Sequence, residues 1–150
     1  MSIKVYKGKP PVSYYTKGDT TIRIVDGSVV QLNTSGQLSL IANDSDDKIL
    51  GVAHKTVALS STDNDVPVQL AVEDVEWEVT TDSDGGALAT DVGRFAAFDT
   101  GDTTNPRATL DVNDSTVPHF LITQFVSATK VRGRFARTTL RKPATHDFDS

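Results

Sequence analysis

Hydrophobic and polar residues alternate along most of this chain, in short runs separated by turn-forming residues. Runs such as "TTIRIV", "SVVQLN" and "HFLITQFVSATKVRGRFA" are rich in Val, Ile, Thr and Phe, and no window carries a sustained apolar stripe with the period of a helix. Stretches rich in Asp, Asn, Ser and Gly divide the runs, for example "TDSDGG" and "NDST". The pattern predicts an all-β protein, folded as a small antiparallel β-barrel or sandwich.

The clearest alternating run, "DVPVQLAVEDVEWEVTT", changes phase in its middle. Val72 ends one set of apolar positions and Val75 begins the other, with Glu73 and Asp74 adjacent at the changeover. Because a one-residue slip moves side chains to the opposite face of a sheet, we predict a β-bulge or a sheet-crossing bend there. Two separate strands joined by a tight turn are the alternative. We expect both valines and Trp77 to be buried, with Trp77 as a core anchor.

Composition limits the class of protein. A chain of 150 residues suffices for about one domain with a core, and the absence of Cys excludes a disulfide framework, a thiolate metal site and a thiolate nucleophile. The N-terminus lacks the apolar stretch of a signal peptide, and no apolar run approaches the ~20 residues of a membrane span. We therefore expect a soluble protein that is made in the cytosol and has no membrane partner.

Charge is distributed unevenly, although the formal net charge is only −5. Residues 1–25 hold five basic residues against one acidic residue, residues 126–150 hold six against two, and the segment between them carries a net charge of −13. Two basic ends on an acidic body suggest that the ends bind something negative, while the body repels nucleic acid. Solvated termini with no partner are the alternative.

Residues 1–19 are predicted to form an extended N-terminal arm, ahead of a β-domain at 20–140 and a short C-terminal tail at 141–150. Pro10-Pro11 opposes helix and favours an extended chain. An arm of this kind buries little surface by itself, and its tyrosines are of a type enriched at interfaces, so we expect it to become ordered on a partner. The residues expected to make the contact are Lys4, Tyr6, Lys7, Lys9, Tyr14 and Tyr15.

A second basic feature lies near the other end of the chain. Lys130, Arg132 and Arg134 share one parity of a predicted strand and form a cationic row. Proteins that bind single-stranded nucleic acid interleave such charge with exposed aromatic side chains, whereas Phe135 lies on the opposite face of this strand. We therefore expect the cationic row to face an acidic surface, on another protein or on a neighbouring copy, and we expect no nucleic-acid partner.

Patterns typical of catalysis are not found. The histidines His54, His119 and His146 lie in unrelated contexts without zinc-site spacing, and His54 is expected to be structural. The sequence has no nucleophile elbow and no Gly-rich phosphate loop. The Asp-rich stretches 43–47 and 82–86 lack EF-hand spacing, so turn formation explains them, while calcium binding there stays open. We expect a non-enzymatic protein with no catalytic residues, no metal site and no cofactor.

The β segments follow a definite order over about residues 20 to 136. The order runs from "TTIRIVDGSVVQLNTSGQLSLIANDSDDKILGVAHKTVAL" through "DVPVQLAVEDVEWEVTT" and "VGRFAAF" to "PHFLITQFVSATKVRGRF". It resembles the head decoration (cement) and auxiliary capsid proteins of tailed phages. The resemblance implies a small β-barrel or β-tulip-like domain that binds the outside of an expanded capsid, commonly as a homotrimer, with a homodimer as the alternative.

The expected function is therefore that of a structural virion protein, made in the host cytoplasm, that bridges neighbouring subunits of the major capsid protein and stabilises the head. Two other functions remain open. A carbohydrate- or receptor-binding β-module of a phage tail would share the fold, although we would expect more Trp and Tyr in its loops. A trimeric β-fold hydrolase would need convergent acids and a phosphate-binding loop, and the sequence shows no such loop.

Overall fold

The computed structural model describes residues 3–41, 48–82, 86–99, 106–115 and 117–136, and the regular structure in these ranges is almost entirely β. A short 3-10 helix spans Ala89–Asp91. The strands, numbered in chain order, are β1 (Ile3–Lys7), β2 (Val12–Lys17), β3 (Val29–Leu32), β4 (Leu38–Leu40), β5 (Gly51–Ala53), β6 (Asp63–Leu70), β7 (Glu76–Thr80), β8 (Phe95–Asp99), β9 (Thr109–Asp111), β10 (Phe120–Ser127) and β11 (Lys130–Phe135). The all-β prediction is confirmed.

The strands form two antiparallel sheets. Sheet A has the order β1-β7-β11-β10-β8-β9, and sheet B has the order β2-β6-β5-β3-β4. One parallel bridge, between Thr81 and Leu110, brings β9 near the end of β7. The arrangement is sandwich-like and not a closed barrel, so the sandwich form of the prediction is the correct one.

An aromatic group on the inner face of sheet A forms the centre of the larger core. Trp77 is fully buried and packs edge-on against Phe135, with 5.3 Å between the ring centroids. Phe98 and Phe120 complete the group, and Val52 of sheet B packs into the same cluster. The expectation that Trp77 is a core anchor is confirmed, and this cluster joins the two sheets.

Gly133 lies on the inner face of β11, beside these aromatic rings. A Cβ atom at this position would overlap the carbonyl oxygen of Leu121 on the neighbouring strand and crowd the ring of Phe120. The carbonyl oxygen cannot move away without disturbing the pairing of β10 with β11. The close approach of the two strands therefore requires glycine at this position.

A second, smaller core lies on the other face of sheet B. Val30, Val66 and Val68 are fully buried there, and the paired residues Ile24 and Val57 pack against them. Because the strands of sheet B have apolar side chains on both faces, this sheet lies between the two cores.

Lys17, at the end of β2, is also fully buried. Its Nζ atom donates hydrogen bonds to the carbonyl oxygens of Ala58, Leu59 and Ser61, at 3.0, 3.1 and 2.6 Å. Burial lowers the pKa of Lys17, and the nearby carboxylate of Asp19 only partly opposes this. The lysine therefore serves the fold, because it fixes the loop at 58–61 to the end of β2.

The phase change at Glu73 and Asp74 is the point where the chain crosses between the sheets. β6 ends in sheet B before it, and β7 begins in sheet A after it. The chain does cross between the sheets here, but it does so in the form of the alternative, as two separate strands joined by a turn. A bulge or bend within one continuous strand is wrong. Val75 is buried as expected, but Val72 is only half-buried against the core.

The predicted extended arm is wrong, because its residues belong to both sheets. Ile3 is fully buried and pairs with Val79, which makes β1 an edge strand of sheet A, and β2 is an edge strand of sheet B. Alternation in "IKVYK" provides the apolar inner side of β1. The predicted C-terminal tail at 141–150, and the end of the predicted domain, lie outside the described residues.

Deletion of residues 1–19 is expected to unfold the protein at 25 °C. The deletion removes β1, β2 and the buried side chains of Ile3 and Lys17, and a domain stabilised by roughly 5–15 kcal/mol does not survive losses on that scale. Circular dichroism and thermal melting provide the measurement, with the exposed connector variant Lys9→Ala as a control that should melt like the wild type. A deletion variant that melts near the wild-type temperature would contradict the strand assignment.

Trp77→Ala should lower the free energy of unfolding by about 3 kcal/mol or more, because it opens a cavity among the aromatic rings. Denaturant unfolding measures the change. Tyr14→Ala, which truncates a side chain that is 65% exposed, is the control and should change the value by only about 0.5 kcal/mol. A loss of less than about 1 kcal/mol for Trp77→Ala would be inconsistent with a fully buried indole.

Candidate functional site

Side chains on the outer face of sheet A form three rows, because residues paired directly across neighbouring strands point to the same side. The Glu78 row runs across four strands, and the Lys130 row and the Phe95 row lie on either side of it along β11. The Glu78 row contains Lys4, Glu78, Arg132 and Gln124. The Lys130 row contains Thr80, Lys130 and Ser127, and the Phe95 row contains Arg134, Leu121 and Phe95.

Glu78 is the centre of the charge on this face, although only 8% of the residue is exposed. Nε of Arg132 lies 3.0 Å from Oε2 of Glu78, and the Nζ atoms of Lys130 and Lys4 lie 3.5 and 3.6 Å from Oε1. Burial by itself raises the pKa of Glu78, but the hydrogen bond from Arg132 and the charges of Lys130 and Lys4 outweigh it and hold the pKa below its ordinary value. Glu78 is therefore ionised at neutral pH.

Arg132 is held in one orientation by three neighbours. Its guanidinium carbon lies 3.7 Å from the centroid of the Tyr6 ring, and Nη1 donates a hydrogen bond of 3.2 Å to Oε1 of Gln124. Nε is the atom that donates to Glu78. Stacking on a tyrosine ring and pairing with a carboxylate both favour arginine over lysine at this position. Part of the charge of the cationic row is thus balanced within the chain.

The structure brings together six of the nine residues that the sequence assigned to partner binding. On the outer face of sheet A lie Lys4, Tyr6, Lys7, Lys130, Arg132 and Arg134. Lys9 is exposed nearby, in the connector from β1 to β2. Tyr14 and Tyr15 lie elsewhere, on β2 of sheet B, where Tyr14 is exposed and Tyr15 packs against the smaller core.

The sequence reasoning assigned no role to several residues of this face, among them Glu78, Phe95 and Leu121. Glu78 had a signal, because it lies between Trp77 and Val79 in an alternating run and must therefore point away from the core. Phe95 and Leu121 had none, because each lies in a run with several successive apolar residues. Whether such a side chain faces the core or the solvent depends on strand pairing, which the local sequence pattern does not reveal.

Two of the histidines are bonded within the fold. Nδ1 of His54 lies 3.1 Å from Oδ1 of Asp26, and Nε2 faces Oε1 of Gln69. His119 is fully buried, and its Nδ1 accepts a hydrogen bond of 3.0 Å from the backbone N–H of Phe98. His146 lies outside the described residues. The contacts of His54 fit the structural role expected from the sequence.

Three carboxylates converge near the β9 edge of sheet A. The ligand oxygens of Asp82, Asp99 and Asp111 lie within 4.8 Å of one another, and each residue is half-buried. Oxygen ligands of this kind suit a hard cation such as Ca²⁺, but exposed acidic groups commonly lie together without an ion. Of the two Asp-rich stretches in the sequence, residues 43–47 and 83–85 lie outside the described residues.

The comparisons with known proteins identify no relative of this chain. A scan against protein-family models finds no match, and searches of the curated proteins and of the solved structures find none. Among the residues that the structure describes, no helix combines the length and the apolar character needed to span a membrane.

Glu78→Gln is expected to lower the free energy of unfolding by about 2 kcal/mol at pH 7, because a neutral amide cannot balance three cations. The folded pKa of Glu78 lies below its ordinary value of 4.5. The stabilisation is therefore complete above pH 4.5 and is lost as the pH falls through the folded pKa, so the two proteins should converge in acid.

Chemical denaturation as a function of pH measures this difference, and Glu73→Gln in the exposed turn is the matched control. Equal stability of Glu78→Gln and wild type at pH 7, or a difference that persists unchanged in acid, would show that Glu78 does not hold the three cations.

Proposed function

We propose that this protein is a structural virion protein that binds the outer surface of an expanded phage capsid. It bridges neighbouring subunits of the major capsid protein and thereby stabilises the head. The contact is made by the outer face of sheet A. The same proposal has two further parts. The protein has no enzymatic activity, and it associates with itself as the homotrimer that the resemblance implies.

One observation carries this proposal: the outer face of β1, β7 and β11 in sheet A is positive, whereas the chain as a whole is acidic. On these strands the outer face carries five cations and two acids, namely Lys4, Lys7, Lys130, Arg132 and Arg134 with Glu76 and Glu78. The net charge of the chain is −5, so the remaining surface is negative. A protein with this asymmetry approaches an acidic surface with one face, because attraction at that face and repulsion elsewhere orient the encounter.

The way in which the face is built also supports adhesion. Its side chains stand on paired strands, and Arg132 is held by Glu78, Gln124 and the ring of Tyr6. A rigid surface loses little conformational freedom on binding, so more of the contact energy appears as affinity. When one unit contacts two capsid subunits, separation of the subunits requires breaking both contacts, which is the physical basis of cementing.

Two features argue against nucleic acid as the partner of this face. Glu76 and Glu78 lie among the cations and would repel phosphates. The guanidinium of Arg132 already covers the ring of Tyr6, so this ring does not offer a free platform on which a base could stack.

Co-sedimentation with empty expanded capsids tests the proposal. Arg134→Glu should weaken binding by about tenfold or more, because it reverses an exposed charge at the contact. Lys48→Glu makes the same change in formal charge at an exposed position outside sheet A, and it should bind like the wild type. Failure of the wild type to co-sediment, or equal loss in both variants, would contradict the proposal.

A further inference from the structure

We infer that the Phe95 row (Arg134, Leu121 and Phe95) docks on the partner, and that the matching surface is a protein segment with an apolar side chain beside a carboxylate. This inference rests on the proposed function and names the chemistry of its contact. The row crosses three adjacent strands of sheet A, since Leu121 pairs with Arg134 on one side and with Phe95 on the other. No sequence pattern assigned a role to Phe95 or Leu121.

The other two rows have little capacity left for a partner. Arg132, Lys130 and Lys4 all pair with the one carboxylate of Glu78. Arg134 differs from them, because it is exposed and has no ion pair in the part of the chain that the structure describes. Among the cations of the three rows, a partner carboxylate therefore finds an unpaired one at Arg134.

The exposure of Phe95 is the second feature that points to a contact. The residues that follow it on β8 are fully buried, namely Ala96, Ala97 and Phe98, whereas Phe95 is 42% exposed on the outer face. Val92 and Val126, 45% and 39% exposed, lie further along the seam between β10 and the segment that leads into β8. An aromatic side chain and an arginine on the same surface, here separated by Leu121 on the strand between them, are typical of the energetic centre of a protein interface.

The charge of this face favours an acidic protein segment as the ligand of the Phe95 row, over a second copy of the chain and over nucleic acid. A second copy that docked the same face by a two-fold axis would bring the cations of both faces together, which is unfavourable. Nucleic acid gains its affinity from several phosphate contacts, and here Lys4, Lys130 and Arg132 are already paired with Glu78, with Glu76 close by. A carboxylate next to an apolar group matches both Arg134 and Phe95.

Capsid binding by four proteins tests the inference: wild type, Phe95→Ser, Arg134→Gln and the double variant. Each single change should weaken binding by about tenfold, and the double change should cost less than the product of the two, because the residues contact one partner segment. Val12→Ser, which alters a half-exposed valine on β2 of sheet B, is the matched control and should leave binding unchanged. Thermal melting verifies the fold, and Arg134→Gln keeps the test valid if Phe95→Ser is destabilised.

The outcomes separate this inference from the proposed function. If the wild type does not bind capsids, the proposed function fails. If the wild type binds and both single variants bind equally well, the function stands and the Phe95 row is not the docking surface. Two measurements test the other occupants of the Phe95 row. Sedimentation velocity tests whether a second copy of the chain binds there, and binding to random single-stranded DNA at about 0.15 M salt tests nucleic acid. An oligomer that Phe95→Ser converts to monomer, or DNA binding that Phe95→Ser abolishes, would overturn the inference.

Discussion

The carboxylate of Glu78 is almost buried on the outer face of sheet A, where a charge is costly unless cations and hydrogen-bond donors surround it. The two strands that flank β7 meet this requirement together, because Lys4 comes from β1 on one side and Lys130 and Arg132 come from β11 on the other. These ion pairs depend on the register of the three strands. One carboxylate thus holds Lys4 from near the start of the chain and Lys130 and Arg132 from its last described strand on one surface.

The position of Glu78 also determines which part of the face keeps positive charge that is not balanced within the chain. The carboxylate balances part of the positive charge at the middle of the face and orients Arg132 over the ring of Tyr6. Unmatched charge is left toward the end that holds Arg134, beside the exposed side chain of Phe95. In the proposed function, this surface combines electrostatic orientation with an apolar anchor. The acidic remainder of the molecule keeps the other faces away from an acidic partner.

The features that the sequence predicted correctly are local, and the features that it missed depend on distant pairing. Alternation is a property of neighbouring residues, so the all-β fold, the burial of Trp77 and the crossing at Glu73 and Asp74 could be predicted. β1 was mistaken for an arm because its partner strand lies more than 60 residues away, and because it contains two lysines and is followed by Lys9 and Pro10-Pro11. The convergence of three cations on Glu78 required the register of β1, β7 and β11, which no local pattern provides.

The central claim is that the outer face of sheet A is the surface by which this protein contacts a capsid. Cryo-electron microscopy of expanded capsids saturated with the protein tests this most directly, because the orientation of each bound copy becomes visible. The account predicts that sheet A faces the capsid, with Arg134 and Phe95 in the contact and sheet B turned toward solvent. A reconstruction in which sheet B faces the capsid, or in which no copies are bound to the capsid surface, would contradict it.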